Sequence, residues 1–267
     1  MTNLRIGAVL VGLVVVTALV SFVWTPHDPL QVNAAARLLG PTGEYWLGTD
    51  KLGRDVVSQL MVGARTTLYV GVLAVGIAAV LGTPLGMLAG MARNWLGELV
   101  MRANDLVLAF PALLLAIMFG AVYGPSTVTA MVAIGIATIP SFARIARSAT
   151  LRVMSTEYVL AARAAGRSRL FTARRHVLPN IAGLLLVQSS VSFAIAVLAE
   201  AALSFLGFGT RPPTPSWGRM LQESQELLTV QPRLALAPGI AIALAVLGFN
   251  LLGDGLRDLF DPRLARR

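Results

Sequence analysis

Apolar residues in this chain come in long runs, and the polar residues gather between them. Uncharged stretches cover residues 6–24, 66–92, 106–143, 181 to the region of Glu200 and beyond, and 234–253. A helix needs about 20 residues to cross a hydrocarbon layer about 30 Å thick, so each run is long enough to span. The run 106–143 is too long for one helix, since at about 1.5 Å per residue it would exceed about 50 Å. Tyr123, Gly124, Pro125 and Ser126 place turn chemistry inside it and split it into a helical hairpin. The pattern predicts an all-α integral membrane protein with six transmembrane helices.

Composition agrees. With 56% hydrophobic and 13% charged residues and a mean hydropathy of +0.73, the chain carries more apolar surface than a soluble domain can hide. The net charge of +9 does not read as a nucleic-acid footprint, because the basic residues are scattered between apolar runs instead of lining one face. No nucleic-acid partner is expected; membrane lipid is. The absence of cysteine excludes disulfides, thiolate metal sites and a cysteine nucleophile. Arg5 before an apolar region fits a secretory signal. The run continues through Val23 into Trp24, Thr25 and Pro26 without a small-residue cleavage pattern, which predicts a retained anchor.

Positive charge sets the orientation. With the N-terminus in the cytoplasm, Arg5, Arg93, Arg102, the arginines from Arg144 to Arg175, Arg257, Arg263, Arg266 and Arg267 lie inside. Arg37, Lys51, Arg54, Arg65, Arg211, Arg219 and Arg233 lie outside, the smaller set. Both termini are therefore predicted to be cytoplasmic in a bacterial inner or plasma membrane.

No catalytic constellation can be assembled, and no cofactor or metal site is expected on this chain. His27 and His176 fall on opposite sides of the membrane. The only lysine, Lys51, lies in LGTDKLGRD and not in a glycine-rich phosphate loop, so the chain has no such means of binding ATP. Energy for transport has to come from another subunit or from an ion gradient.

Residues 157–180, EYVLAARAAGRSRLFTARRHVLPN, form a charged, alanine-rich, glycine-broken segment between spans. Ser155 or Thr156 is placed to cap a helix with Glu157 in its first turn, favourable to the helix dipole. Ala161, Ala162, Ala164 and Ala165 propagate that helix, and Gly166 can end it in a left-handed conformation. Ser168 is placed to start a second helix through Leu170 and Phe171, and Pro179 marks entry into the fifth span. Two short helices meeting at a bend result. The alanine face admits a close partner, and Arg163, Arg167, Arg169, Arg174 and Arg175 can rim that contact or meet anionic lipid. A loop that only sets topology would satisfy the charge count equally well.

The order of residues resembles the EAA loop of ABC importer permeases: Glu-Ala-Ala, three residues, glycine, nine residues, then a residue pair and Leu-Pro. Here Ala161 and Ala162 precede Gly166 at that spacing, and His176, Val177, Leu178 and Pro179 follow. Leu160 stands where the pattern has glutamate, so the polar contact made there in the family is either missing or supplied by Glu157. Four further segments resemble the dipeptide, oligopeptide and nickel branch of these permeases, specifically its C-type subunit. They are residues 47–63 (LGTDKLGRDVVSQLMVG), 105–117 (DLVLAFPALLLAI), 198–221 (LAEAALSFLGFGTRPPTPSWGRML) and 250–263 (NLLGDGLRDLFDPR).

The resemblance implies a type I importer permease fold (MetI-like). It also implies a division into an N-terminal helix with its external loop (1–65) and a five-helix permease domain (66–267), with the coupling loop at 150–180. It implies ATPase coupling through Glu157, Ala161, Ala162, Gly166, Leu170, His176, Leu178 and Pro179. The implied partners are a homologous permease, cytoplasmic ABC ATPases carrying ATP and magnesium, and an extracytoplasmic solute-binding protein. The implied function is ATP-driven import of dipeptides or short oligopeptides by a non-enzymatic transport subunit. Nickel or another small solute is the alternative, and a gradient-driven secondary transporter a more distant one, since the midplanes of spans one, two, four and six lack charge.

Outside the loop, the polar turn with Asp50, Arg54 and Asp55 is a candidate contact for a binding protein or partner permease, or simply a surface turn and helix cap. Trp217 suits the interfacial belt and is a further candidate contact for a binding protein or partner permease, and residues 217–228 read as an amphipathic piece on the membrane surface. Glu200, an intramembrane carboxylate, needs a partner or water; it is a candidate external gate or structural anchor. Asp105 is expected to pair with Arg102. Gly71, Gly76, Gly82, Gly86 and Gly90 give the second span small residues for close contact, and Pro84 is placed to kink it.

Overall fold

A computed structural model describes residues 2–92 and 94–260. Met1, Arg93 and residues 261–267, among them Arg263, Arg266 and Arg267 of the orientation count, lie outside the described residues, as does the side chain of Asn94. The described residues form ten α-helices and no strand. Five are long and apolar enough to cross a membrane: α1 (Thr2–Val23), α2 (Val56–Met91), α5 (Thr127–Met154), α8 (Leu178–Phe205), which extends a segment from Arg169, and α10 (Arg233–Phe260). A further apolar pair, α3 (Asn94–Leu108) and α4 (Ala112–Tyr123), is bent by 77° at its break, the shape of a broken span or a re-entrant loop, and brings the count to six if it crosses as one.

That bend corrects the expected third span. α4 has 12 residues, about 18 Å of helix, too short to cross alone. Pro111 cannot donate to a preceding carbonyl and restrains Phe110 to extended backbone, so the helix from α3 cannot run through. α3 is amphipathic, and its Asp105 pairs with Arg144 of α5 at 2.6 Å, while Arg102 pairs with Glu98 at 2.6 Å. The expected Asp105–Arg102 pair is not formed; each residue has a nearer partner. The hairpin turn lies where expected, with Gly124 at φ 84° and Ser126 capping α5 by accepting from the Thr129 amide at 3.0 Å.

α2 begins at Val56, well before the apolar run at 66, because Asp55 caps it by accepting from the Ser58 amide at 2.9 Å. Residues 65 and 66 thus lie on one helix, and the expected division after residue 65 coincides with no break. α2 and α5 form the central pair. A Cβ on Gly82, Gly86 or Gly90 would overlap Phe142, Ala143, Ala146 or Thr150, so a glycine every fourth residue brings the backbones together. Gly71 meets Phe193 of α8, and Gly76 meets open space. Pro84 lies within α2 without ending it.

α1 packs antiparallel on α10, with Gly7 against Leu252, Gly248 against Leu10 and Gly255 against Leu4. α8 closes on α10 through Phe193 and Phe249, stacked at 4.0 Å between ring centroids. Both described chain ends and the segment entering α8 therefore share one face, where Gly183 meets Phe260. The opposite face carries the loop before α2 and the loop between α8 and α10, which contains α9 (Trp217–Ser224).

Candidate coupling site

The segment after α5 folds into an elbow. Its first arm is α6 (Glu157–Ala164), held by Val159, which is fully buried. Neither expected hydroxyl caps this helix. Thr156 donates to the Val153 carbonyl at 2.6 Å and Ser155 to that of Arg152 at 2.9 Å, because the end of α5 offers unpaired acceptors one turn away. At the other end the Arg167 amide donates to Ala162 and the Gly166 amide to Arg163, with Gly166 at φ 74°. This is the paired-bond helix stop that favours glycine.

The second arm starts as expected at Ser168, whose hydroxyl accepts from the Phe171 amide at 3.2 Å. It is not a separate short helix. α7 (Arg169–Thr172), a π turn over Ala173–Val177 and α8 form one segment, Arg169–Phe205, of 37 residues. Pro179 explains the π turn: it has no N–H for the carbonyl four residues back, and the widened turn lets the Leu178 amide reach Ala173 instead.

His176 joins the arms, with its ring edge-on to Tyr158 of α6 and to Phe171 of α7, each at 5.7 Å between centroids. Tyr158 and Phe171 escaped the sequence reading. Residues 171 and 176 are five apart, a spacing that meets on one face only where a helix widens. Leu160, Ala161, Gly166, Leu170, Leu178 and Pro179 are exposed and Ala162 half-buried; a Cβ added at Gly166 would meet nothing within 4 Å. Glu157 is exposed in the first turn of α6.

At the far end of α8 the polar residues turn inward. Glu200, 2% exposed, accepts from Ser204 at 2.6 Å and Thr210 at 3.2 Å, and Ser204 accepts from the Thr210 amide at 2.9 Å. Thr127 at the start of α5 donates to Thr210 at 3.2 Å. The loop after α8 is thereby tied to both helices.

Asp50, Arg54, Asp55 and Trp217, expected as contacts for another protein, are taken up within this chain. Arg54 bridges Asp50 (2.6 Å) and Glu223 of α9 (2.5 Å). Burial works against its charge, but these two carboxylates outweigh that and push its pKa above the ordinary guanidinium value. Asp55 is the cap of α2, with His27 3.7 Å away. Trp217 is 4% exposed, packs where Gly63 leaves room, and donates its indole N–H to the Leu60 carbonyl at 3.0 Å. α9 is therefore wedged among α2, α8 and α10, and is not an exposed surface helix. The small side chains at Gly63, Gly218 and Ala201 were the available signal, because a Cβ on either glycine would overlap Trp217 or Ala201.

The two groups do not meet: Leu178 and Glu200 are separated by about 33 Å of helix. Among the described residues no group of three or more His, Asp or Glu side chains is arranged to hold a metal ion.

Residues 82–266 match the family described as binding-protein-dependent transport system inner membrane component. The dipeptide transport system permease protein DppC of Alkalihalophilus pseudofirmus is 40% identical over 96% of this chain and 86% of its own length. The di/tripeptide transport system permease protein DppC of Pseudomonas aeruginosa is 40% identical over 97% of this chain and 88% of its own. The glutathione transport system permease protein GsiD of Pectobacterium atrosepticum is 39% identical over 96% and 87%. Among solved structures, an inward-facing MetNI methionine ABC transporter chain superposes with a TM-score of 0.63 at 18% identity, covering 76% of this chain and 96% of that one. That last likeness concerns the fold.

Proposed function

The chain belongs to the binding-protein-dependent transport system inner membrane components, and on that premise we propose that it is the permease subunit of an ATP-driven importer of dipeptides or short oligopeptides. Relatives matching over nearly the whole chain carry peptide or glutathione transport in their names, which supports the substrate class. In this reading the subunit pairs with a homologous permease, receives solute from an extracytoplasmic binding protein, and leaves ATP and magnesium to two cytoplasmic ATPase sites.

The observation that carries the coupling mechanism is the elbow. Its outward residues take little part in the chain's own packing, while its second arm is continuous with a membrane-spanning helix. An ATPase that grips Ala161, Ala162, Gly166 and Leu170 moves a rigid lever. His176 keeps the arms at a set angle, and Leu178 and Pro179 lie where the π turn passes the motion into α8. At the lever's far end, Glu200 transmits the displacement to the external loop through Ser204 and Thr210. Glu200 thus acts as an anchor and not as a proton carrier. Packed interfaces switch between discrete arrangements, so closure of the ATPases can become outward opening of the path.

The test is reconstitution of this chain with its partner permease, ATPases and binding protein in vesicles. Peptide-stimulated ATP hydrolysis together with peptide uptake is the expected result. Robust gradient-driven flux by this chain alone would overturn the reading.

A further inference from the structure

The cytoplasmic end holds an open cleft of about 520 Å³ between the elbow and the ends of α2 and α5. The elbow contributes Arg163, Arg167 and Arg169 to its lining, and the two helix ends contribute Met91 and Met154. Among the described residues none of these arginines has a carboxylate within ion-pair distance, although four other arginines do. Arg167 is instead stacked over Phe171, 4.9 Å from the ring centroid. Three like charges around one cavity repel, and an anion in the cavity reverses the sign of that interaction. Guanidinium groups fit phosphate oxygens in a fork. The cleft lies where α2 and α5 end at the cytoplasmic face, and its methionine wall is apolar. A ligand with a phosphate head and a greasy body matches both parts.

We propose that this cleft binds the phosphate headgroup of an anionic phospholipid from the cytoplasmic leaflet, with Arg163, Arg167 and Arg169 as its ligands. The lipid ties the elbow to the ends of α2 and α5 and so sets its resting position. Basic pockets between helices on this side of a membrane have that chemistry. The inference does not depend on the elbow gripping an ATPase, because the cleft is complete within this chain.

The test uses the full chain purified in detergent, titrated separately with phosphatidylglycerol and phosphatidylcholine, with retained lipid counted by native mass spectrometry. R163Q/R167Q/R169Q is expected to lower phosphatidylglycerol affinity about a hundredfold, and each single substitution about fivefold, the scale set by one surface cation apiece. R163K/R167K/R169K keeps the charge and is expected to stay within about tenfold of the unsubstituted chain. R5Q/R174Q/R257Q removes three arginines outside the cleft and is expected to change affinity by less than about twofold. The single variants carry the test should the triple fail to fold. Equal retention of phosphatidylcholine, or an unchanged affinity in the glutamine variants, overturns the proposal. Displacement of the lipid by millimolar inorganic phosphate also overturns it, by assigning the arginines to a free anion. ATPase capture is not read in this assay, so a negative result leaves the coupling reading standing.

Discussion

Two polar regions flank the membrane-spanning helices, and they treat their charges in opposite ways. In the external layer, Arg54 is enclosed by Asp50 and Glu223, Asp55 caps α2, Glu200 holds Ser204 and Thr210, and Trp217 is buried against Gly63. In the cytoplasmic elbow, Arg163, Arg167 and Arg169 have no carboxylate partner among the described residues, and Leu160 and Leu170 face outward. A charge satisfied inside the chain holds the fold together. One left open at a folded elbow is available to something else.

The strongest way to break this contrast is to remove a charge from the external layer. Arg54→Ala leaves the enclosed Asp50 without its cation and Glu223 with Arg219 alone, and is expected to cost about 3–5 kcal/mol of stability. A fall in the unfolding midpoint of the detergent-solubilised chain would register it; an unchanged midpoint would mean that the layer is not internally held. Trp217→Ala should follow with a loss of similar size, about 3–5 kcal/mol, from a cavity beside Gly63. Trp217→Phe keeps most of the volume and loses the bond to the Leu60 carbonyl, so its midpoint should fall by only about 0.5–1.5 kcal/mol.

In the elbow the effects should separate stability from coupling. A Cβ at Gly166 meets no atom within 4 Å, so the main cost of Gly166→Val is the left-handed backbone, about 1–2 kcal/mol and local to the loop. Spans should unfold at the same midpoint, while co-purification of the ATPases and peptide-stimulated hydrolysis fall at least about tenfold, the reach of a 1.4 kcal/mol change. Gly166→Asn, which tolerates that conformation, should retain most of both activities. If valine leaves hydrolysis and association intact, the elbow is not the coupling element. The smallest stability effect belongs to Leu160→Glu, which changes an exposed position and should shift the midpoint by less than about 0.5 kcal/mol. A gain in ATPase association would show that Leu160 weakens a contact. No gain would show that Glu157, one turn earlier, already serves it.

Much of this was legible before any coordinates. Run length predicted the spans, and a span is a local property, since about 20 apolar residues meet the bilayer wherever they occur. Gly166 was readable as a helix stop and Ser168 as a cap for the same reason, because each acts on amides three to five residues away. The third span was legible as apolar sequence but its bend was not, since at Phe110 and Pro111 hydropathy continues and the helix does not. Pro179 opens α8 as expected, in its first turn, but the π turn over Ala173–Val177 leaves no break before it and joins the second arm of the elbow to α8.

The local pattern along the chain foretold the long apolar helices and the existence of an elbow, both consequences of hydropathy and turn chemistry at short range. Only packing decided which polar residues would be free. Asp50, Arg54 and Asp55 sit in the segment before α2 and Trp217 in the segment between α8 and α10, and along the sequence both look as exposed as the elbow. Their burial depends on Glu223, Leu60 and Gly63, and Glu223 lies 169 residues from Arg54 along the chain. Availability to a partner is what remains after such distant pairings are made, and no short window of sequence contains them.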